Sequence, residues 1–156
     1  MRIPVVYADT SVFGGVFDEE FRAATRSFFD LVRAGRFSLT VSDVVRRELE
    51  GAPADVQSFF DQMLAYVALV PVDEEVLLLR DAYLDAEILA PKWAEDATHV
   101  AAATIGRSDL IVSWNFRHMV HFNKIRFYNA VNALHGYPQI DIRAPNEVID
   151  YEEEDV

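Results

Sequence analysis

The residues best suited to chemistry in this chain are Asp9, Glu48, Asp96 and Asn115. Asp9 closes an apolar run, Val5-Val6-Tyr7-Ala8, and is followed by Thr10 and Ser11. A carboxylate at a strand end can hold a cation, or it can simply cap the turn into the next helix. Glu48 follows Val44 and Val45 by four and three positions, so on a helix it stands beside an apolar stripe. An acid there needs a neutralising partner, either a metal ion or Arg46 or Arg47 folding over it. Asp43 and Glu50 lie within about a turn of Glu48 and compete for the same role. Asp96 shares a helical face with Val100 and Ala103, and its plain role would be to complement the helix dipole, as Glu95 can also do. Asn115 follows Ser113-Trp114 and adds a neutral oxygen, or serves as a turn residue.

Three carboxylates from separate segments, with a polar residue at another strand end, make a hard-oxygen pocket suited to Mg²⁺ or Mn²⁺. Such a pocket activates water against a phosphodiester and offsets transition-state charge. The histidines are poorer metal candidates. His118 and His121 are three apart, but with no cysteine in the chain and no clear third ligand they read as surface groups rather than a zinc site. Gly14-Gly15 lacks the spacing of a nucleotide-binding loop, which removes kinase and dehydrogenase readings.

The elements that must position these groups follow from periodicity. Ile3 to Ala8, Phe37 to Val41, Val67 to Val72, Leu110 to Ser113 and Gln139 to Ile142 read as strands. Helices are expected over Phe21 to Ala34, from a Ser42 cap through Glu50, from Pro53 to about Ala65, from Asp73 to about Leu89, from Lys92 to Ile105, and from Val120 to His135 before Gly136. A C-terminal turn begins at Asn146. Strands alternating with helices predict an α/β fold, a three-layer α/β/α sandwich around a mainly parallel sheet. In such sheets ligands gather beyond the carboxyl ends of the strands, where strand order reverses. Asp9, Ser113 and Asn115 are at those ends.

With 156 residues, of which 51% are hydrophobic and 26% charged, the chain fits one domain with one well-formed core. The absence of cysteine excludes a disulfide framework and a thiol nucleophile and implies a cytoplasmic setting. No apolar run approaches the roughly 20 residues of a membrane helix, and the N-terminal run reads as a first strand rather than a signal peptide. A net charge of −12 argues against a polyanionic partner on average. The distribution says otherwise: Leu110 to Ile140 holds no acid, where 26 acids in 156 positions would place about five, yet it contains Arg117, His118, His121, Lys124, Arg126 and His135. Acids return at the end as a solvated tail over 150–156.

Taken together, Val6-Tyr7-Ala8-Asp9-Thr10-Ser11, Val44-Val45-Arg46-Arg47-Glu48-Leu49, Asp96-Ala97-Thr98-His99-Val100-Ala101-Ala102-Ala103 and Ser113-Trp114-Asn115-Phe116 resemble the PIN domain, including the VapC-type toxins of prokaryotic toxin–antitoxin pairs. The resemblance runs from about Ile3 to Ile149, giving a PIN-like domain over 1–149. It implies an endoribonuclease dependent on Mg²⁺ or Mn²⁺, an RNA substrate, a small antitoxin partner and a homodimer. Asp9, Glu48 and Asp96 match the family's three main acids, and Thr10 or Ser11 its neighbouring hydroxyl, expected to touch the substrate. The chain departs at the fourth acidic position, where Asn115 stands without a charge. That departure supports an alternative, a PIN-like RNA- or protein-binding module with weak or no catalysis. Because the acid-free stretch begins beside Asn115, Arg117, Lys124 and Arg126 are expected to touch substrate phosphates at the rim of the acidic pocket. An aspartyl-phosphate phosphatase is disfavoured, since Thr10 and Ser11 follow Asp9 where a second Asp two positions on is required.

Overall fold

In the computed structural model, residues 2–150 are described, so all of the acidic tail but Asp150 lies outside the described residues. The strands are β1 (Val5–Ala8), β2 (Ser38–Ser42), β3 (Val67–Val70), β4 (Leu110–Val112) and β5 (Asp141–Arg143). The helices are α1 (Thr10–Gly15), α2 (Arg22–Arg33), α3 (Asp43–Leu49), α4 (Ala54–Met63), α5 (Glu74–Asp85), α6 (Ala94–Ile105), α7 (Phe122–Leu134) and α8 (Pro145–Val148). Short 3₁₀ turns at Leu64–Tyr66 and Pro91–Trp93 lead into β3 and α6. All strand pairs are parallel, in the order β3-β2-β1-β4-β5.

Side chains alternate across the sheet, as the period of a strand requires, and each face has its own core. Val6, Ala8, Leu39, Val41 and Val112 pack against Phe13, Phe28, Phe29 and Phe60 from α1, α2 and α4. Tyr7, Ile111 and Ile142 pack against Leu79, Tyr83, Val100, Ala103 and Tyr128 from α5, α6 and α7. The result is the expected three-layer α/β/α sandwich.

Element ends carry most of the differences from sequence reading. The helix expected to reach Leu89 stops at Asp85, because Glu87 takes a left-handed backbone (φ 59°) that turns Ile88 and Leu89 into the core. Ser42 caps α3 as expected, its hydroxyl accepting from the Val44 amide at 3.3 Å. Gly136, at φ 79°, closes α7. The segment after Asp9 is not a loop: α1 begins at Thr10 and ends at Gly15, where any added Cβ would lie 2.8 Å from both Thr25 Oγ1 and Trp114 Nε1.

A candidate acidic active site at the strand ends

The chain runs β1, β2, β3 in one direction and then returns to place β4 on the other side of β1, so strand order reverses between β1 and β4. The pairing Ala8 with Val112 brings the next residues, Asp9 and Ser113, together at the carboxyl ends. Asp9 occupies the cap position of α1, yet its carboxylate makes no cap bond. It accepts instead from Ser11 Oγ and Ser113 Oγ, both at 2.5 Å, and is only 4% exposed. Burial pushes its pKa up, with the nearby Asp96 adding to the rise, against the opposing pull of His99 and the serine hydroxyls.

Glu48 finds its partner neither in Arg46 nor in Arg47. His99 Nε2 donates to its Oε1 at 2.7 Å and Thr10 Oγ1 donates to the same oxygen at 2.6 Å, while Arg47 pairs with Glu95 at 3.6 Å. Burial works against the charge of Glu48, but the bond and charge of His99, with Thr10 and Arg47, hold its pKa below the usual range. For His99, burial pulls the pKa down and is outweighed by the bond to Glu48 and the fields of Asp9, Glu48 and Asp96, so it stands above its ordinary value. Its other nitrogen lies 2.7 Å from the hydroxyl of Tyr7, which is 2.8 Å from Ser42 Oγ. All three acids act on this one buried imidazole.

Asp96 does not spend itself on the dipole of α6. His118 Nδ1 donates to its Oδ2 at 2.7 Å, and Asn115 Nδ2 makes a long contact of 3.4 Å to the same oxygen. Of the two roles open to Asn115, the turn is the one it takes. Its carbonyl oxygen accepts from the backbone amides of Arg117 and His118 at 3.1 and 3.0 Å, so both lone pairs close its own turn and its amide nitrogen faces the acid. It presents a donor to the acid rather than a neutral ligand oxygen. His118 is a correction to the sequence reading, since it is buried against Asp96 rather than on the surface. Tyr128 donates to the His118 carbonyl at 2.9 Å from beneath.

Glu48, Asp96, Asn115 and His118 line a cleft of about 480 Å³ with Lys92, Trp93, Glu95 and Arg117. Asp43 and Glu50, the rivals of Glu48, line a different cleft with Arg46 and Arg80. Arg117 is held at the rim with its guanidinium 5.2 Å above the Trp93 ring. Lys124 and Arg126, expected beside it, are elsewhere. Lys124 donates to the Ile88 carbonyl at 2.7 Å, and Arg126 lies over Phe122 in a groove with Asp141 and Glu147. The hydroxyls of Thr10 and Ser11, expected at the substrate, hold Glu48 and Asp9 instead. Lys92 supplies the second rim cation and was missed, its only signal being its place just before Asp96 in the chain.

No protein-family profile matches the chain, and no curated protein matches it by sequence. Solved structures do. A chain of VapBC2 from Rickettsia felis, crystallised bound to a DNA fragment from their promoter, superposes with a TM-score of 0.58 at 12% identity, covering 88% of this chain and 96% of that one. A chain of FitAcB from Neisseria gonorrhoeae gives a TM-score of 0.55 at 12% identity, covering 90% and 97%. The fold is shared. At this identity the likeness is one of architecture, and it extends over nearly the whole of each neighbour. No helix among the described residues is long and apolar enough to cross a membrane.

Proposed function

We propose that this chain is a metal-dependent endoribonuclease with a PIN-like fold, acting as the toxin of a toxin–antitoxin pair. The observation that carries the reading is the burial of Asp9 at the point of strand reversal, within the field of Asp96, beside a cleft rimmed by Arg117 and Lys92. A buried carboxylate at a ligand-binding strand end, with the partly exposed acids Glu48 and Asp96 opening onto the neighbouring cleft, suits a cation. The architectural likeness to chains of VapBC2 and FitAcB, both toxin–antitoxin complexes, supports the biological setting, with a small antitoxin as protein partner.

Among the described residues no His, Asp or Glu trio forms a ready-made metal cage, so the fit is judged by the donor set. The donors are hard carboxylate oxygens, and the protein engages Glu48 through Oε1 and Asp96 through Oδ2, leaving the second oxygen of each as a donor. That set suits Mg²⁺ or Mn²⁺, which take one or two carboxylates and keep several waters. Asp9, Glu48 and Asp96 would hold the ion. Bound there, it supplies the charge that activates water and neutralises the phosphate. The protein's own contributions are positional. Ser11 and Ser113 fix Asp9, His99 and Thr10 fix Glu48, and His118 fixes Asp96, while Arg117 and Lys92 meet the phosphates of the RNA.

The test is cleavage of a mixed structured RNA pool in EDTA, Mg²⁺ or Mn²⁺, with Asp96→Asn prepared in parallel. Cleavage that requires the metal and disappears in the variant is expected. Equal cleavage in EDTA, or by Asp96→Asn, overturns the reading. One observation favours a second reading, a binding module: Asn115 brings neither a charge nor a free carbonyl oxygen to the acidic cleft. RNA held without cleavage by both proteins would select it.

A further inference from the structure

We infer that the turn over residues 114–118 forms a nucleobase-stacking subsite beside the acidic cleft, in which Phe116 takes one unstacked base of a single-stranded RNA and Arg117 meets the adjoining phosphate. The inference rests on the proposal that RNA is the substrate.

Its basis is how rigidly this turn is built and what it leaves exposed. The Asn115 carbonyl closes the turn on the amides of Arg117 and His118, and Ser113 Oγ accepts from the Asn115 amide at 2.9 Å. Trp114 is fixed at both ends, its backbone amide donating to Ser11 Oγ and its indole nitrogen to Thr25 Oγ1, each at 2.9 Å. Phe21 stacks on the indole with centroids 4.1 Å apart and planes 18° apart. Phe116 leans on this pair, 6.2 Å from Trp114 and 6.5 Å from Phe21, and stays 50% exposed.

Because the turn is already fixed by these bonds, the half of the Phe116 ring that remains in water can meet an external partner without rearrangement of the backbone. Its neighbours in sequence both line the cleft, and one of them is a cation already parked on Trp93. An apolar ring flanked in sequence by a positioned guanidinium and by the Asn115 that contacts Asp96 matches a nucleotide: base on the ring, phosphate on the cation. A base still paired in a duplex cannot present its face to the ring, which makes the subsite selective for single-stranded or looped RNA.

The experiment measures binding in EDTA, so that cleavage plays no part. Fluorescent RNA oligonucleotides about six nucleotides long, each with one base removed in turn, are titrated against wild type, Phe116→Ala and Phe116→Trp. In wild type, removal of one particular base should weaken binding on the order of tenfold, the usual effect of losing a base–aromatic stack. Phe116→Ala should show that same loss with the intact oligonucleotide and become indifferent to the missing base, and Phe116→Trp should restore both. If wild type and Phe116→Ala respond identically to the base-removal series while binding and cleaving RNA, the subsite is overturned and the nuclease proposal stands. RNA neither bound nor cleaved by wild type overturns both. Unchanged RNA affinity with an altered solution mass of Phe116→Ala makes the patch a protein contact and overturns the subsite.

Discussion

Asp9→Asn separates what the acidic site does for stability from what it does for function. The native carboxylate is almost wholly buried, and its pKa is raised by burial despite two serine hydroxyls and the field of His99. A carboxylate whose folded pKa exceeds its unfolded value opposes folding at any pH above both, and that opposition fades as pH falls through the folded pKa toward 3.8. Asparagine copies the shape of the neutral acid. Ser113 Oγ accepts from the Asn115 amide and Ser11 Oγ from the Trp114 amide, so each hydroxyl already works in both senses and can receive the new NH₂. The variant should therefore be more stable than wild type at pH 7, by about 0.5–2 kcal/mol, the usual gain when a strained functional group is relieved. For a chain of this size that is a rise in Tm of roughly 2–6 °C. The assay is thermal unfolding in EDTA at pH 7 and again near pH 4, where the advantage should shrink. Adding Mn²⁺ should reverse the order, because a ligand at about 100 times its Kd stabilises wild type by about 2.7 kcal/mol and the variant by much less. An Asp9→Asn protein less stable than wild type at pH 7 in EDTA would refute the reasoning, showing that the serine bonds outweigh desolvation.

Two other outcomes follow from the geometry. Arg117→Ala should weaken RNA binding and lower the salt slope by about one, whereas Lys124→Ala and Arg126→Ala should leave both unchanged; fluorescence titration at several salt concentrations checks all three. Gly15→Ala forces a Cβ against Trp114 and Thr25, so a loss of about 1–3 kcal/mol is expected by chemical denaturation, together with a change in tryptophan emission.

Much of this architecture is legible in the amino-acid order because strands that are buried on both faces, such as Val5 to Ala8, are short apolar runs with abrupt polar ends. The same abruptness marks Asp9. Helical periodicity likewise puts Asp96 at the border of the core, and the glycine after His135 marks the end of α7. What escapes sequence is the second set of residues. His99 is three positions after Asp96 and reads as part of an alanine-rich packing face, since nothing local shows that Tyr7 and Glu48 will meet it. His118 reads as a surface group because its partner lies 22 positions away. The acid-free stretch is a true bias of composition, but α7 turns Lys124 toward Ile88 and Arg126 toward Phe122, so of these three cations Arg117, before the helix, is the one that reaches the cleft. The helix after Asp9 is six residues with two glycines, too short and too poor in helix formers to announce itself.

The order of the strands also sets a timetable. Asp9 and Ser113 meet across 104 residues, and β4 can join the sheet only beside a β1 already made early in translation. A ribosome that has released β1, β2 and β3 exposes a half-sheet carrying Asp9 and Glu48 without Asp96, the 114–118 turn or its cations. The acidic cleft is therefore incomplete through most of the chain's own synthesis, and it is assembled only when the last third of the chain emerges and docks.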